Sequence, residues 1–107
     1  MDVPVLLLVF NRPDLTTKVM EAIRGARPPR LYIAGDGPRG NKAKDLELVA
    51  RTRATVMSNI NWSCQVSTLF HDDNIGCGRA VSRAIDWFFD HEDEGIILED
   101  DCVPSGS

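Results

Sequence analysis

The chain has 107 residues, 43% of them hydrophobic and 26% charged, with a formal net charge of -4. This is the composition of one ordinary folded domain, too short for a second core and too hydrophobic for disorder. The acidic balance, with Lys and Arg scattered along the chain, argues against an extended nucleic-acid surface, which needs clustered cations.

Val3 to Phe10 is a continuous apolar run, read as a central strand, and Asn11-Arg12-Pro13-Asp14 follows with turn chemistry. Asp14 is placed to cap a helix whose Leu15, Val19 and Ile23 share one face, with Gly25 as its stop. Pro28-Pro29 breaks the chain before a second strand, Leu31 to Ala34. That strand ends in Gly35-Asp36-Gly37-Pro38-Arg39-Gly40, where glycines permit close backbone approach. About Ala43 to Ser58 the pattern is helical, with Leu46, Val49, Ala50 and Met57 inward. Cys64 to Phe70 shows partial alternation and reads as a third strand, nearer an edge than the first. Asn74-Ile75-Gly76-Cys77-Gly78-Arg79 opens a helix to about Asp90, with Val81, Ala84, Ile85 and Phe88 inward. Gly95-Ile96-Ile97-Leu98-Glu99-Asp100-Asp101 is a last strand, expected to be buried on both faces and to leave the core in three carboxylates.

Strands and helices alternate throughout, so right-handed crossovers make the fold α/β: a Rossmann-like three-layer sandwich with a mostly parallel sheet in the order 3-2-1-4. In such sheets ligands bind beyond the carboxyl ends of the strands, near the point where strand order reverses. Four polar loops fall there: Asn11-Arg12-Pro13, Gly35-Asp36-Gly37, His71 to Arg79, and Glu99-Asp100-Asp101. Adjacent carboxylates repel, and a divalent cation is one way to hold them together; a solvated acidic turn is the other. A cation beside Arg12 suits a diphosphate, which a metal bridges and a guanidinium grips. Arg12 pairing with Asp14 or with the triplet is the plainer alternative, as is an Asx-turn for Asp36 and simple exposure for Arg79. Gly76-x-Gly78 at a helix start offers backbone N–H groups to phosphate but follows the third strand and lacks the third glycine of the dinucleotide fingerprint.

Cys64, Cys77 and Cys102 form no C-x-x-C pair, and with His71 and His91 they show no zinc-ligand spacing. An odd number of thiols points to a reduced, cytoplasmic setting. Cys102 beside Asp100 and Asp101 is disfavoured as a thiolate nucleophile. The N-terminal apolar run is too short to span a bilayer and has no signal-peptide flanks.

In their order and strand-end placement, Val5 to Pro13, Ile33 to Pro38 with Asp36, Asn74 to Ala80, and Ile97-Leu98-Glu99-Asp100-Asp101 resemble the nucleotide-diphospho-sugar transferases of the glycosyltransferase A fold. The bacterial proteins similar to the N-acetylglucosaminyltransferase I group are the particular likeness, and it covers essentially the whole chain. The resemblance implies that Asp101 ligates Mn²⁺ or Mg²⁺ in a DxD-like motif, with Glu99 and Asp100 contacting sugar, ribose or metal-bound water. It implies that Asn11 and Arg12 hold the nucleotide, that Asp36 reads the base, and that Gly76, Gly78 and Arg79 line the nucleotide pocket. The donor implied is a nucleotide sugar, a UDP-sugar by preference, and the acceptor is not specified.

Members of that family continue well past the acidic motif into a half that supplies the acceptor site, often another metal contact and, in inverting enzymes, the general base. The 107 residues therefore read as a single nucleotide-binding unit from a longer transferase, with Pro104-Ser105-Gly106-Ser107 as linker, and little transfer is expected from them alone. A sugar-phosphate nucleotidyltransferase is one alternative, although the loop after the first strand lacks its glycines. A non-catalytic assembly module that self-associates through an uncovered sheet edge or helix face is another.

Overall fold

The computed structural model describes residues 2–100. Asp101, the expected metal ligand, and Cys102 lie outside the described residues. The chain runs β1 (Val5–Val9), α1 (Pro13–Ala26), β2 (Arg30–Gly35), α2 (Asp45–Ser58), β3 (Gln65–Phe70), α3 (Cys77–His91) and β4 (Ile96–Glu99). The four strands form one sheet in the order β3-β2-β1-β4, and every pairing is parallel. This is the Rossmann-like α/β arrangement expected from the alternation of apolar runs and amphipathic segments.

Every residue of β1 is buried, because the strand has a neighbour on each side and helices on each face. Successive side chains point to opposite faces. Val5, Leu7 and Val9 therefore join Leu31 and Ile33 of β2 beneath Met20 and Ile23 of α1 and Val56 of α2. Leu6 and Leu8 join Tyr32 and Ala34 beneath Ala84 and Phe88 of α3. Each such buried aliphatic or aromatic side chain contributes about 1.5–3 kcal/mol relative to exposure, so β1 and β2 are the mechanical centre of the domain.

The last strand departs from expectation. Among the described residues it is an edge strand, with Ile96 and Ile97 each 37% exposed, because α3 packs over β1 and β2 and leaves β4 half covered. Its acidic end does the reverse: Asp100 is only 3% exposed and turns inward.

Helix boundaries and faces also differ in places. Arg12, not Asp14, occupies the N-cap position of α1, because Pro13 begins the helix with its preset φ and its missing N–H at the first position. The helix runs through Gly25 and ends at Arg27, whose φ of 50° is left-handed and whose N–H reaches the Ile23 carbonyl. The stop comes from Pro28-Pro29, which cannot continue a helix, rather than from a glycine. In α2 the inward residues are Asp45, Val49, Thr52 and Val56, while Leu46 is 72% and Met57 45% exposed. Thr52 is tolerated inside because its hydroxyl donates to the Leu48 carbonyl at 2.7 Å, and Asp45 because Arg39 and Asn11 satisfy it. In α3 the expected face is the observed one, with Ala84 and Phe88 fully buried and Val81 and Ile85 packed beside them.

Candidate functional site

Register brings the loops together. Val9, Gly35 and Phe70 lie in one row across β1, β2 and β3, and Leu8 lies opposite Glu99 of β4. The segments that follow leave the sheet at one rim. On the α3 side of that rim is a cleft of about 480 Å³, within the range of small-molecule sites. Leu8, Ala34 and Val81 are among its apolar lining, and Asn11, Arg12, Asp36, Arg39, His71 and Asn74 supply its polar groups.

Asp36 is the knot of this rim. Its Oδ1 accepts the backbone N–H of Gly37 at 2.8 Å and of Ile75 at 2.9 Å, and its Oδ2 accepts Asn74 Nδ2 at 3.1 Å. The same Asn74 amide donates to the Gly37 carbonyl at 2.8 Å. One buried carboxylate thus closes its own turn and ties the β2 loop to the β3–α3 loop. The loops touch at backbone distance: a Cβ on Gly37 would lie 2.5 Å from the Asp73 carbonyl carbon. Beneath them, Arg53 Nη2 donates to the Asp36 and His71 carbonyls at 3.0 and 2.9 Å while its guanidinium lies 4.5 Å from the centroid of the Phe70 ring. Burial lowers the Arg53 pKa, with Asp72 and Asp36 opposing the shift.

A second knot holds the β1 loop. Asp45, 2% exposed at the start of α2, accepts Arg39 Nε at 2.7 Å and the Arg39 backbone N–H at 3.0 Å on Oδ2. Its Oδ1 accepts Arg39 Nη2 and Asn11 Nδ2, both at 3.0 Å. The Arg39 guanidinium holds the Asp45 carboxyl well below the usual carboxylate range. Arg39 also sits 5.4 Å from the centroid of the Phe10 ring, so one arginine braces both flanks of the Asn11 loop. Arg12 is exposed at the cleft, and among the described residues no carboxylate pairs with it, Asp14 included.

At the acidic end, the Asp100 carboxylate accepts the hydroxyl of Thr16, a fully buried residue of α1, and its N–H reaches the Leu8 carbonyl at 3.3 Å. Asp100 is therefore engaged with the core helix, while Glu99 is exposed. Among the described residues no group of three or more His, Cys, Asp or Glu is arranged to hold a metal ion. Asp100 and Glu99 point to different environments.

Of the glycine segment, Gly76 takes the N-cap position of α3 with φ 96°, a value that favours glycine. Cys77, Ala80 and Val81 face the cleft; Gly76, Gly78 and Arg79 are not among its lining, and Gly78 and Arg79 are exposed. The cleft thus gathers Asn11, Arg12 and Asp36 of the expected residues. It adds Arg39, braced by Asp45, and Asn74. These were missed as site residues because their partners lie across turns or on other elements; the one local signal was an acid at a helix start six residues after an arginine.

The opposite end of the sheet is occupied structurally. Glu92 accepts Arg30 Nε and Nη2 at 2.7 and 2.9 Å and the Tyr32 hydroxyl at 2.6 Å. Arg30, followed by Tyr32, holds Glu92 below its ordinary pKa. Burial raises the Cys64 thiol pKa, which disfavours a nucleophile there. No helix among the described residues is long and apolar enough to cross a membrane. No protein-family model, curated protein or solved structure matches the chain.

Proposed function

We propose that the chain binds the donor of a glycosyl transfer, a nucleotide-diphospho-sugar and by preference a UDP-sugar, in the cleft at the carboxyl rim of the sheet. The observation that carries this reading is the convergence of Asn11, Arg12 and Asp36 on one partly apolar cleft at the ends of β1 and β2. Its volume of about 480 Å³ suits a nucleotide part, and Arg12 has no carboxylate partner among the described residues, leaving its fork for a phosphate. Asp36 serves first as the staple of the rim. Its Oδ2 accepts one hydrogen bond and keeps a lone pair for a base imide or ribose hydroxyl.

In this reading Asp101 holds Mn²⁺ or Mg²⁺ with Glu99 nearby, and Asp100 positions the strand end through Thr16. Gly76, Gly78 and Arg79 then shape the start of α3 rather than touch the nucleotide. Calorimetric titration of UDP and other nucleoside diphosphates, with and without Mn²⁺, tests it. Metal-dependent binding that weakens in Arg12→Ala and Asp101→Ala is the expected result. Binding that ignores both the metal and the two substitutions would overturn it, and pyrophosphate release from a nucleoside triphosphate and a sugar phosphate would favour nucleotidyl transfer instead.

A second reading has its own observation. Among the described residues β4 pairs only with β1, and its exposed Ile96 and Ile97 offer an apolar strand edge to a second copy. A stable oligomer on a sizing column, with no nucleotide affinity, would make the domain an assembly module.

A further inference from the structure

The basic residues that look scattered in the sequence are collected by the fold. On the α1–α2 side of the same rim lies a groove of about 800 Å³, separate from the cleft but sharing Asn11, Arg12 and Arg39 with it as a dividing ridge. Arg12, Arg39, Lys42, Lys44 and Arg51 all line it, five of the twelve Lys and Arg in the chain. Against them stand two acids, Asp14 and Asp45, and Asp45 is occupied by Arg39 and Asn11. Arg12, Lys42, Lys44 and Arg51 make no ion pair among the described residues.

A protein with a net charge of -4 has acids enough to neutralise a chance gathering of cations. Four cations line one concavity in which Asp14 is the one acid not already engaged by Arg39; they repel one another, and a bound anion relieves that repulsion. The Asp45 knot sets the geometry: it fixes Arg39 and Asn11, and so the spacing between the β1 loop and the turn before α2. Lysines supply point charges and arginines planar forks, a donor set suited to phosphate oxygens.

We infer that this groove is an anion site for a soluble molecule carrying two or more phosphate charges. The anion site stands on the groove alone. Its further assignment, as the seat of a phosphate-bearing acceptor lying across the Asn11–Arg12 ridge from the donor, rests on the donor reading above.

The probe is inorganic pyrophosphate, titrated into the isotopically labelled full chain and followed residue by residue by NMR. Saturable shifts confined to the Arg39–Asp45 turn, Arg12 and Arg51 are expected, with affinity falling as salt is added. The triple variant Lys42→Ala, Lys44→Ala, Arg51→Ala, built at exposed positions, is expected to weaken binding about tenfold or more, and Lys42→Arg with Lys44→Arg to retain it. Arg83→Ala, which removes an exposed cation of α3 outside both the cleft and the groove, should leave pyrophosphate affinity unchanged. Shifts of equal size at Arg79 and Arg83, or an affinity indifferent to the triple substitution, would overturn the site. Failure of UDP to perturb Ala80 and Val81 would defeat the donor reading, and with it the acceptor assignment, while leaving the pyrophosphate result standing.

Discussion

Asp45 grips Arg39 through both carboxylate oxygens, at 2.7 and 3.0 Å, and the same oxygens reach the Arg39 backbone and Asn11. Because Arg39 and Asn11 form the ridge between the cleft and the basic groove, this one pair sets the shape of both. Asp45→Asn keeps the volume and loses the charge. It is expected to cost about 1–3 kcal/mol in urea denaturation, since hydrogen bonds to a charged group are lost at a buried position. The pH dependence follows from the sign of the shift. The folded pKa of Asp45 lies below the unfolded value of 3.8, so its contribution is fully present above that value and is lost as pH falls through the folded pKa. Stability of the parent protein should therefore fall more steeply than that of Asp45→Asn on acidification below about pH 4.

Gly37 marks the closest approach of two loops. A Cβ there would meet the Asp73 carbonyl carbon and oxygen at 2.5 and 2.6 Å, and backbone cannot rotate away as a side chain can. Gly37→Ala is expected to cost about 1–3 kcal/mol and to open the Asp36–Ile75 connection. Denaturation gives the energy, and faster amide exchange at Ile75, whose N–H donates to Asp36, gives the location.

Thr16 and Asp100 join α1 to the end of β4 through a buried hydrogen bond. Thr16→Val preserves shape and removes the donor, leaving a buried carboxylate short of a partner it had. A loss of about 1–3 kcal/mol is expected, together with reduced hydrogen-exchange protection in Ile97 and Leu98. An unchanged exchange pattern in β4 would show that its pairing with β1 suffices to hold the strand.

Tyr32 is the chain's one tyrosine, so its ionisation can be followed without interference. Burial, reinforced by the hydrogen bond to Glu92, pushes its pKa up to about 12. The folded value lies above the unfolded value of 10.0, so the contribution to stability is fully present below that and lost as pH rises through about 12. Ultraviolet titration should show this late phenol ionisation, and Tyr32→Phe should lose about 1 kcal/mol while leaving its ring packed edge-on to Trp87 and Phe88.

The parts of the fold visible in the sequence are those with a local physical cause. Continuous apolar residues from Val5 to Val9 mean burial on both faces, and four strands alternating with three amphipathic helices leave the 3-2-1-4 parallel sheet as the natural packing. Strand ends then place Asn11, Arg12 and Asp36 at one rim. Loop polarity made these residues legible. It made Glu99, Asp100 and Asp101 look alike as well, although Asp100 turns inward to Thr16 and Glu99 outward to solvent.

What the sequence determined by itself, then, was the order of the elements and the rim where their loops meet, because apolar periodicity and turn residues act over a few positions. Tertiary structure alone decided which polar groups are spent on one another. Leu46 and Met57 read as the inner face of α2 and are exposed, while Asp45 and Thr52 are buried there because Arg39, Asn11 and the Leu48 carbonyl satisfy them. Ile96 and Ile97 read as core and are half uncovered, because α3 lies over β1 and β2. Arg12, Lys42, Lys44 and Arg51 read as dispersed and share one groove, because α1 and α2 lie side by side on the same face of the sheet. Each outcome depends on a partner distant in sequence, and only folding brings the two together.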